Sequence, residues 1–236
     1  MEEIRFKEIV CGLATFVVLT SYHLFWYIQT RRAPFRTYQG VAKHLRRSWV
    51  ESVIGGKRDI LSVQTIRNWI MASSFLASTA IIIGLGLLSL LFRPEHMSEI
   101  PFDFTRIFSG VKILFKVKTM FLMLHFFFAF FFFTISIRYL NQVNFMINVP
   151  IECDPLLSSD FVAKILETGM LHYTLGLRAF YLSAVVALWL FGPIWMLLGS
   201  IGLVVVLYQL DHCCTMGYHA AQCEIGTSSA GVGQRQ

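Results

Sequence analysis

Lys57-Arg-Asp-Ile-Leu-Ser-Val-Gln-Thr-Ile-Arg-Asn-Trp-Ile-Met-Ala-Ser-Ser-Phe-Leu-Ala-Ser78 decides how this chain folds, because a charged helical stretch here runs without a break into an apolar one. At about 100° per residue, Gln64, Arg67, Asn68, Met71, Ser74, Phe75 and Ser78 fall within one arc of roughly 120°. A polar stripe that enters a membrane span has to face protein or water, since hydrocarbon leaves polar groups unsatisfied.

A second stripe lies far along the chain. In Ser136 to Pro150, Arg138, Asn141, Asn144 and Asn148 share a similar arc of about 120°, and Pro150 is expected to end that helix. Four apolar segments precede, separate and follow the two stripes. Alternation of the spans puts the start of the second and the end of the third on one membrane face, where the stripes can meet.

The composition fits that reading. Of 236 residues, 56% are hydrophobic and only 14% charged, against about 25% charged in an ordinary soluble domain, and the mean hydropathy is +0.61. The sequence therefore predicts an all-α integral membrane bundle of four transmembrane helices with additional interfacial amphipathic helices. Residues 1–211 form one membrane domain and 212–236 a flexible tail. The net charge of +6 is no sign of nucleic acid, because most Lys and Arg flank the apolar runs, where they anchor and orient helices.

Span one is Ile9 to Ile28, about 20 mostly apolar residues, enough for a hydrocarbon core near 30 Å. It makes a poor signal peptide, because its leading segment is not net positive and no small-x-small site precedes Arg31 and Arg32. Gln29 to Asp59 is basic, with Val41 to Val53 an expected interfacial helix. Span two runs from Trp69 to Phe92 and carries small residues (Ala72, Ser73, Ala77, Ala80, Gly84) that allow close helix contact in lipid. Val111 to Lys118 reads as an interfacial lead-in to span three, Thr119 to Ile137, whose phenylalanines surround the helix. His125 within it is expected to be a hydrogen-bonded structural residue rather than a proton relay. Ser158-Ser-Asp suits a helix cap, and Phe161 to Leu177 a helix on or beneath the bundle. Span four, Phe180 to Tyr208, is longer than the core needs, and Gly192-Pro193 is read as its kink. More Lys and Arg lie on the loop-one side than opposite, which makes that side cytoplasmic and puts both termini outside.

The five cysteines are Cys11, Cys153, Cys213, Cys214 and Cys223. They are odd in number and irregular in spacing, so no disulfide framework follows. His212, Cys213, Cys214, His219 and Cys223 include metal-ligand types, but they lack Cys-x-x-Cys spacing, and a plain juxtamembrane tail is the better reading. Were that end cytosolic, palmitoylation of Cys213 or Cys214 would be the better functional guess. No phosphate loop, dinucleotide fingerprint, zinc-protease motif or nucleophile elbow occurs, so neither cofactor nor metal is expected. Spans one and two do not repeat in three and four, which argues against an inverted-repeat transporter.

Asp-Ile-Leu-Ser-Val-Gln-Thr-Ile-Arg-Asn-Trp-Ile-Met-Ala within Lys57 to Thr79 carries a family resemblance. So do Ser-Ile-Arg-Tyr-Leu-Asn-Gln-Val-Asn from Ser136, and Gly176-Leu-Arg-Ala-Phe-Tyr with Leu188-Trp-Leu-Phe-Gly-Pro. In that order these blocks resemble an uncharacterised multi-span membrane family, domain of unknown function 599. The likeness runs to about Asp211 and leaves out the tail. It implies a four-span membrane protein and brings no activity, substrate or site residue.

Function is therefore argued from the residues. Gln64, Arg67, Asn68, Arg138, Asn141, Asn144 and Asn148, with Arg178 at the start of the last span, form a ligand-binding set suited to an anion, since arginine suits bidentate carboxylate or phosphate recognition. The plainer account fastens these side chains to helix ends, to lipid headgroups and to Asp59, Glu152 or Asp160. The expectation is a multi-pass protein of the plasma or cytoplasmic membrane that acts as an anion-preferring transporter or channel for a solute or ion. The alternative is a non-transporting scaffold or anionic-lipid-binding module, with the bilayer and further copies of the chain as partners. An enzyme is not expected, because no acid pair or His-acid pair stands at catalytic spacing near a span.

Overall fold

The computed structural model describes residues 2–33, 35, 37–56, 59–92, 112–149 and 158–212, and these are helical with no strand among them. Six helices follow in order: α1 (Glu2–Arg32), α2 (Tyr38–Gly56), α3 (Asp59–Phe92), α4 (Lys112–Met146), α5 (Ser159–Phe191) and α6 (Pro193–His212). Five of them, all but α2, are long and apolar enough to cross a membrane, and the chain is a multi-pass membrane protein. The loop from Arg93 to Val111, the Pro150 stop, Glu152 to Asp154 and the cysteine-bearing tail lie outside the described residues.

The central spine is α3, α4 and α5, of 34, 35 and 33 residues. At 1.5 Å per residue each is about 50 Å long, so each exceeds a 30 Å hydrocarbon core by about 20 Å. Two separate cores match that excess. One joins Ala77 and Ala80 of α3, Leu122, Phe126, Ala129 and Phe133 of α4, and Ala179 of α5. The other joins Val50 and Val53 of α2, Ile66 of α3, Leu140, Val143 and Ile147 of α4, and Val162, Leu166 and Met170 of α5. The first is the membrane-level core; the second is a four-helix base at the end of the spine where α2 docks.

Small residues set the spacing in the spine. A Cβ on Gly176 would lie 2.8 Å from Phe133 Cε1, and Gly169 brings its carbonyl to the Ser136 hydroxyl, which donates to it at 2.8 Å. Ser73, Ala77 and Ala80 are buried as their small size suggests, while Phe128 and Phe131 look outward at 57% exposure. The phenylalanine run thus serves both bundle and lipid.

Two expectations about the last third change. Phe161 to Leu177 is not a separate surface helix: it is the first half of α5, begun by Ser158, whose hydroxyl accepts from Phe161 N–H at 3.2 Å. Gly192-Pro193 is a reversal rather than a kink. Gly192 takes φ 147°, open to glycine and strained for other residues, and Pro193 starts α6 at the first helical position, where its missing N–H costs nothing. The chain then folds back, so that Leu188 touches the site of a Cβ on Gly199 and Arg178 meets Asp211. Five candidate spans replace four, and His212 ends at the face of α2 instead of the opposite one. Val111 to Lys118 likewise contains no separate lead-in, since α4 begins at Lys112.

Candidate functional site

The two stripes keep to the outer surface. Gln64, Arg67, Asn68, Arg138, Asn141 and Asn148 are exposed, and Asn144 is half-buried. The inward rows are Ser62, Ile66 and Ser73 on α3 and Ser136, Leu140, Val143 and Ile147 on α4. Because the spine overshoots the hydrocarbon, this part of α3 and α4 can present amides and guanidinium groups to water. The stripe acquires few partners: Asn148 donates to the Asn144 backbone carbonyl at 2.8 Å. Arg178 stands apart from all seven.

Arg178 belongs instead to a seam between α1 and the α5–α6 hairpin. Its Nη2 donates to Asp211 Oδ2 at 2.7 Å, and the Tyr22 hydroxyl donates to the same oxygen at 2.6 Å. The guanidinium carbon lies 3.8 Å from the centroid of the Trp26 ring, a cation–π contact that strengthens away from water. Both charges are withdrawn, with side-chain exposures of 7% and 10%.

A second pair closes the far end of the seam. Lys118 Nζ donates to Glu8 Oε1 at 2.7 Å and to the Trp189 carbonyl at 3.2 Å, while Trp189 Nε1 donates to Glu8 Oε2 at 2.8 Å. Fourteen residues separate Glu8 from Tyr22, about 21 Å along α1. Glu8 opens and Tyr22 lies well inside Glu8–Arg32, a stretch long and apolar enough to cross a membrane, so an α1 that crosses carries the contact of Tyr22 with Asp211 to membrane depth.

One face of α1 carries the whole series: Glu8, Thr15, Tyr22 and Gln29 recur every seventh residue. A heptad step drifts by only about 20° on a straight helix, so these four side chains line up. Gln29 Oε1 lies 3.3 Å from His212 Nε2. Thr15, between the pairs, is 5% exposed. Four atoms of this region are buried with no hydrogen-bond partner among the described residues: Thr15 Oγ1, His23 Nε2, Trp26 Nε1 and Arg178 Nη1. His23 Nδ1 faces the Leu19 carbonyl at 2.8 Å, which makes Nδ1 the donor and leaves Nε2 of the neutral ring an acceptor.

The stripes do not point to this seam, although Thr15 and Tyr22 of its polar series stand in span one and Glu8 and Gln29 directly flank it. His125 makes the hydrogen-bond contact expected of it, with Nδ1 against the Phe121 carbonyl at 2.8 Å. Among the described residues no three His, Cys, Asp or Glu gather as a metal site would require. No curated protein and no solved structure matches the chain. The sequence profile of one family, described as protein of unknown function, DUF599, matches residues 10–216, and the chain belongs to that family.

Proposed function

We propose that the protein passes protons across its membrane along the seam between α1 and the α5–α6 hairpin. The observation that supports this is the pairing of Glu8 with Lys118 and of Asp211 with Arg178 at two depths of one helix face. Intramembrane ionisable groups are costly and mark ion or proton pathways more often than they serve packing. Fastening alone would be met as well by apolar contacts, since replacing a buried ion pair with packed hydrophobic residues is often neutral or stabilising.

The unpartnered atoms favour passage over fastening. A buried polar group left without a partner costs about 1–3 kcal/mol, and a seam built only to hold helices together has no use for Thr15 Oγ1, Trp26 Nε1 and Arg178 Nη1 in that condition. Waters bridging such groups make about three hydrogen bonds each and supply the carriers between rungs about 10 Å apart. Glu8 and Asp211 are then the groups that accept and release a proton, Tyr22 passes its hydroxyl proton to Asp211 as it takes one from a bridging water, and Lys118 and Arg178 hold each carboxylate in place. The anion-binding set of the stripes is not needed for this reading.

The test is proton flux into liposomes holding a pH-sensitive dye, driven by a potassium diffusion potential. Wild-type protein is expected to acidify the lumen faster than empty vesicles. Asp211→Asn and Glu8→Gln should slow that flux at least about tenfold, or about 1.4 kcal/mol of barrier, while Arg67→Gln leaves it unchanged. Wild-type flux equal to that of empty vesicles overturns the proposal.

A further inference from the structure

A second site lies on the other side of the bundle, in the base formed by α2, α3 and α5. α2 docks on α5 through three polar contacts in antiparallel register: Gln39 Nε2 donates to Thr174 Oγ1 at 2.8 Å, Lys43 pairs with Glu167 at 2.9 Å, and Arg47 pairs with Asp160 at 2.7 Å. Between α2 and α3 a cleft of about 230 Å³ remains, walled by Trp49, Ile66, Trp69, Leu166 and Met170 with Arg46 at its edge. The walls are apolar, and the single charge is positive.

The local charges leave Arg46 over. Glu167 is taken by Lys43, and Asp160 is shared between Arg47 and Lys164. Glu51 is bound by Arg47. Arg46 Nε is buried with no hydrogen-bond partner among the described residues. Burial pushes this guanidinium below its ordinary range, with the Glu167 carboxylate and Tyr38 acting the other way, so an anion at the cleft would restore what burial removes. The cleft also sits where a bilayer edge would fall. Trp69 precedes Phe92 by 23 residues, about 35 Å of helix, and Trp49 and Trp69 are the ring type that settles at the headgroup level.

We propose that this cleft binds one anionic phospholipid from the adjoining leaflet, its phosphate on Arg46 and the upper part of an acyl chain against Trp49, Ile66, Trp69 and Met170. The space is too small for a whole lipid and suits the first part of one chain, with the remainder in the bilayer. The guanidinium offers the phosphate a charge-assisted hydrogen bond, stronger than a neutral one. This site shares no residue with the α1 seam, so either reading can fail without the other.

The experiment compares full-length protein in phosphatidylcholine nanodiscs with and without phosphatidylglycerol, read by thermal unfolding and by the lipid retained in native mass spectra. Phosphatidylglycerol should raise the unfolding temperature and remain bound as a single copy. Arg46→Gln should weaken that retention at least about tenfold, whereas Arg31→Gln keeps it. Thr65→Phe, which places a ring into the cleft mouth without touching the charge, should lower retention as well and serves if Arg46→Gln does not fold. Equal stabilisation by phosphatidylcholine alone overturns the proposal, as does retention unchanged in both variants. A shift of the same size from inorganic phosphate also overturns it, since the site would then hold an anion without a chain.

Discussion

Arg178 Nη2 and Asp211 Oδ2 lie 2.7 Å apart although 33 residues and a complete reversal of the chain separate them. On one continuous helix with a kink those residues would stand about 50 Å apart. Their contact therefore fixes α6 as a helix returning beside α5, and Tyr22 of α1 is drawn to the same oxygen.

Removing one member of this cluster should cost more than removing it entirely. Arg178→Gln or Asp211→Asn is expected to lower stability in detergent by about 3–5 kcal/mol, because each leaves a buried charge without its counterion. The triple change Tyr22→Phe, Arg178→Met and Asp211→Leu takes away all three polar partners and should recover most of that loss. Equilibrium unfolding of the four proteins checks it: a triple variant less stable than either single one would show that the charges hold the hairpin by more than their mutual attraction.

Close packing in the spine gives a sharper steric case. Gly176→Ala puts a methyl group 2.8 Å from Phe133 Cε1, and Phe133 is fully buried, so its ring has little room to retreat. Overpacking of this kind costs about 1–3 kcal/mol. Gly202→Ala meets nothing within 4 Å and should be neutral or slightly stabilising, since alanine is the better helix former. The unfolding temperatures of the two variants are expected to move apart accordingly.

Sidedness follows from the reversal at Gly192. With all five apolar helices crossing, a tag after Gln236 and a cysteine introduced at Ser48 of α2 should lie on one side of the membrane and a tag before Met1 on the other. Four crossings would place the two tags together, opposite Ser48. Labelling sealed vesicles with an impermeant reagent separates the two outcomes. The positive residues of α2 then make the shared side cytoplasmic, which brings Cys213 and Cys214 within reach of palmitoylation.

What the sequence showed and what it hid both have physical reasons. The all-helical class and the first three apolar helices were legible because long apolar runs admit few other structures, and Ser158 was legible as a cap because its hydroxyl is followed by an amphipathic turn. Gly192-Pro193 was not decidable locally: a kink and a reversal use the same two residues, and the choice lies with Arg178, Asp211 and Tyr22. The stripes are expected to meet because a polar face running on into a span has to find protein or water, but their amides and guanidinium groups lie before Trp69 and after Ile137, where the overshooting spine exposes them to water. On α1, Glu8, Thr15, Tyr22 and Gln29 were diluted among exposed apolar residues such as Ile9, Leu13, Phe16 and Val17. Only a search for heptad spacing of polar groups would have separated them.

Thr15 distinguishes a seam that fastens from one that conducts. Its hydroxyl is buried and without a partner among the described residues, roughly midway between the ion pairs that Glu8 and Asp211 complete. Thr15→Val keeps the shape and removes the hydroxyl, so the folded protein should gain about 1 kcal/mol, the lower end of what an unmet buried polar group costs. If the seam only fastens helices, nothing else changes. If protons travel along it, the same substitution takes away the central rung, and flux should fall while the unfolding temperature rises. Thr15→Ser, which retains the hydroxyl, should restore the flux and give up the added stability. Measured together in liposomes and in detergent, a more stable Thr15→Val protein with undiminished proton flux would remove Thr15 from the path.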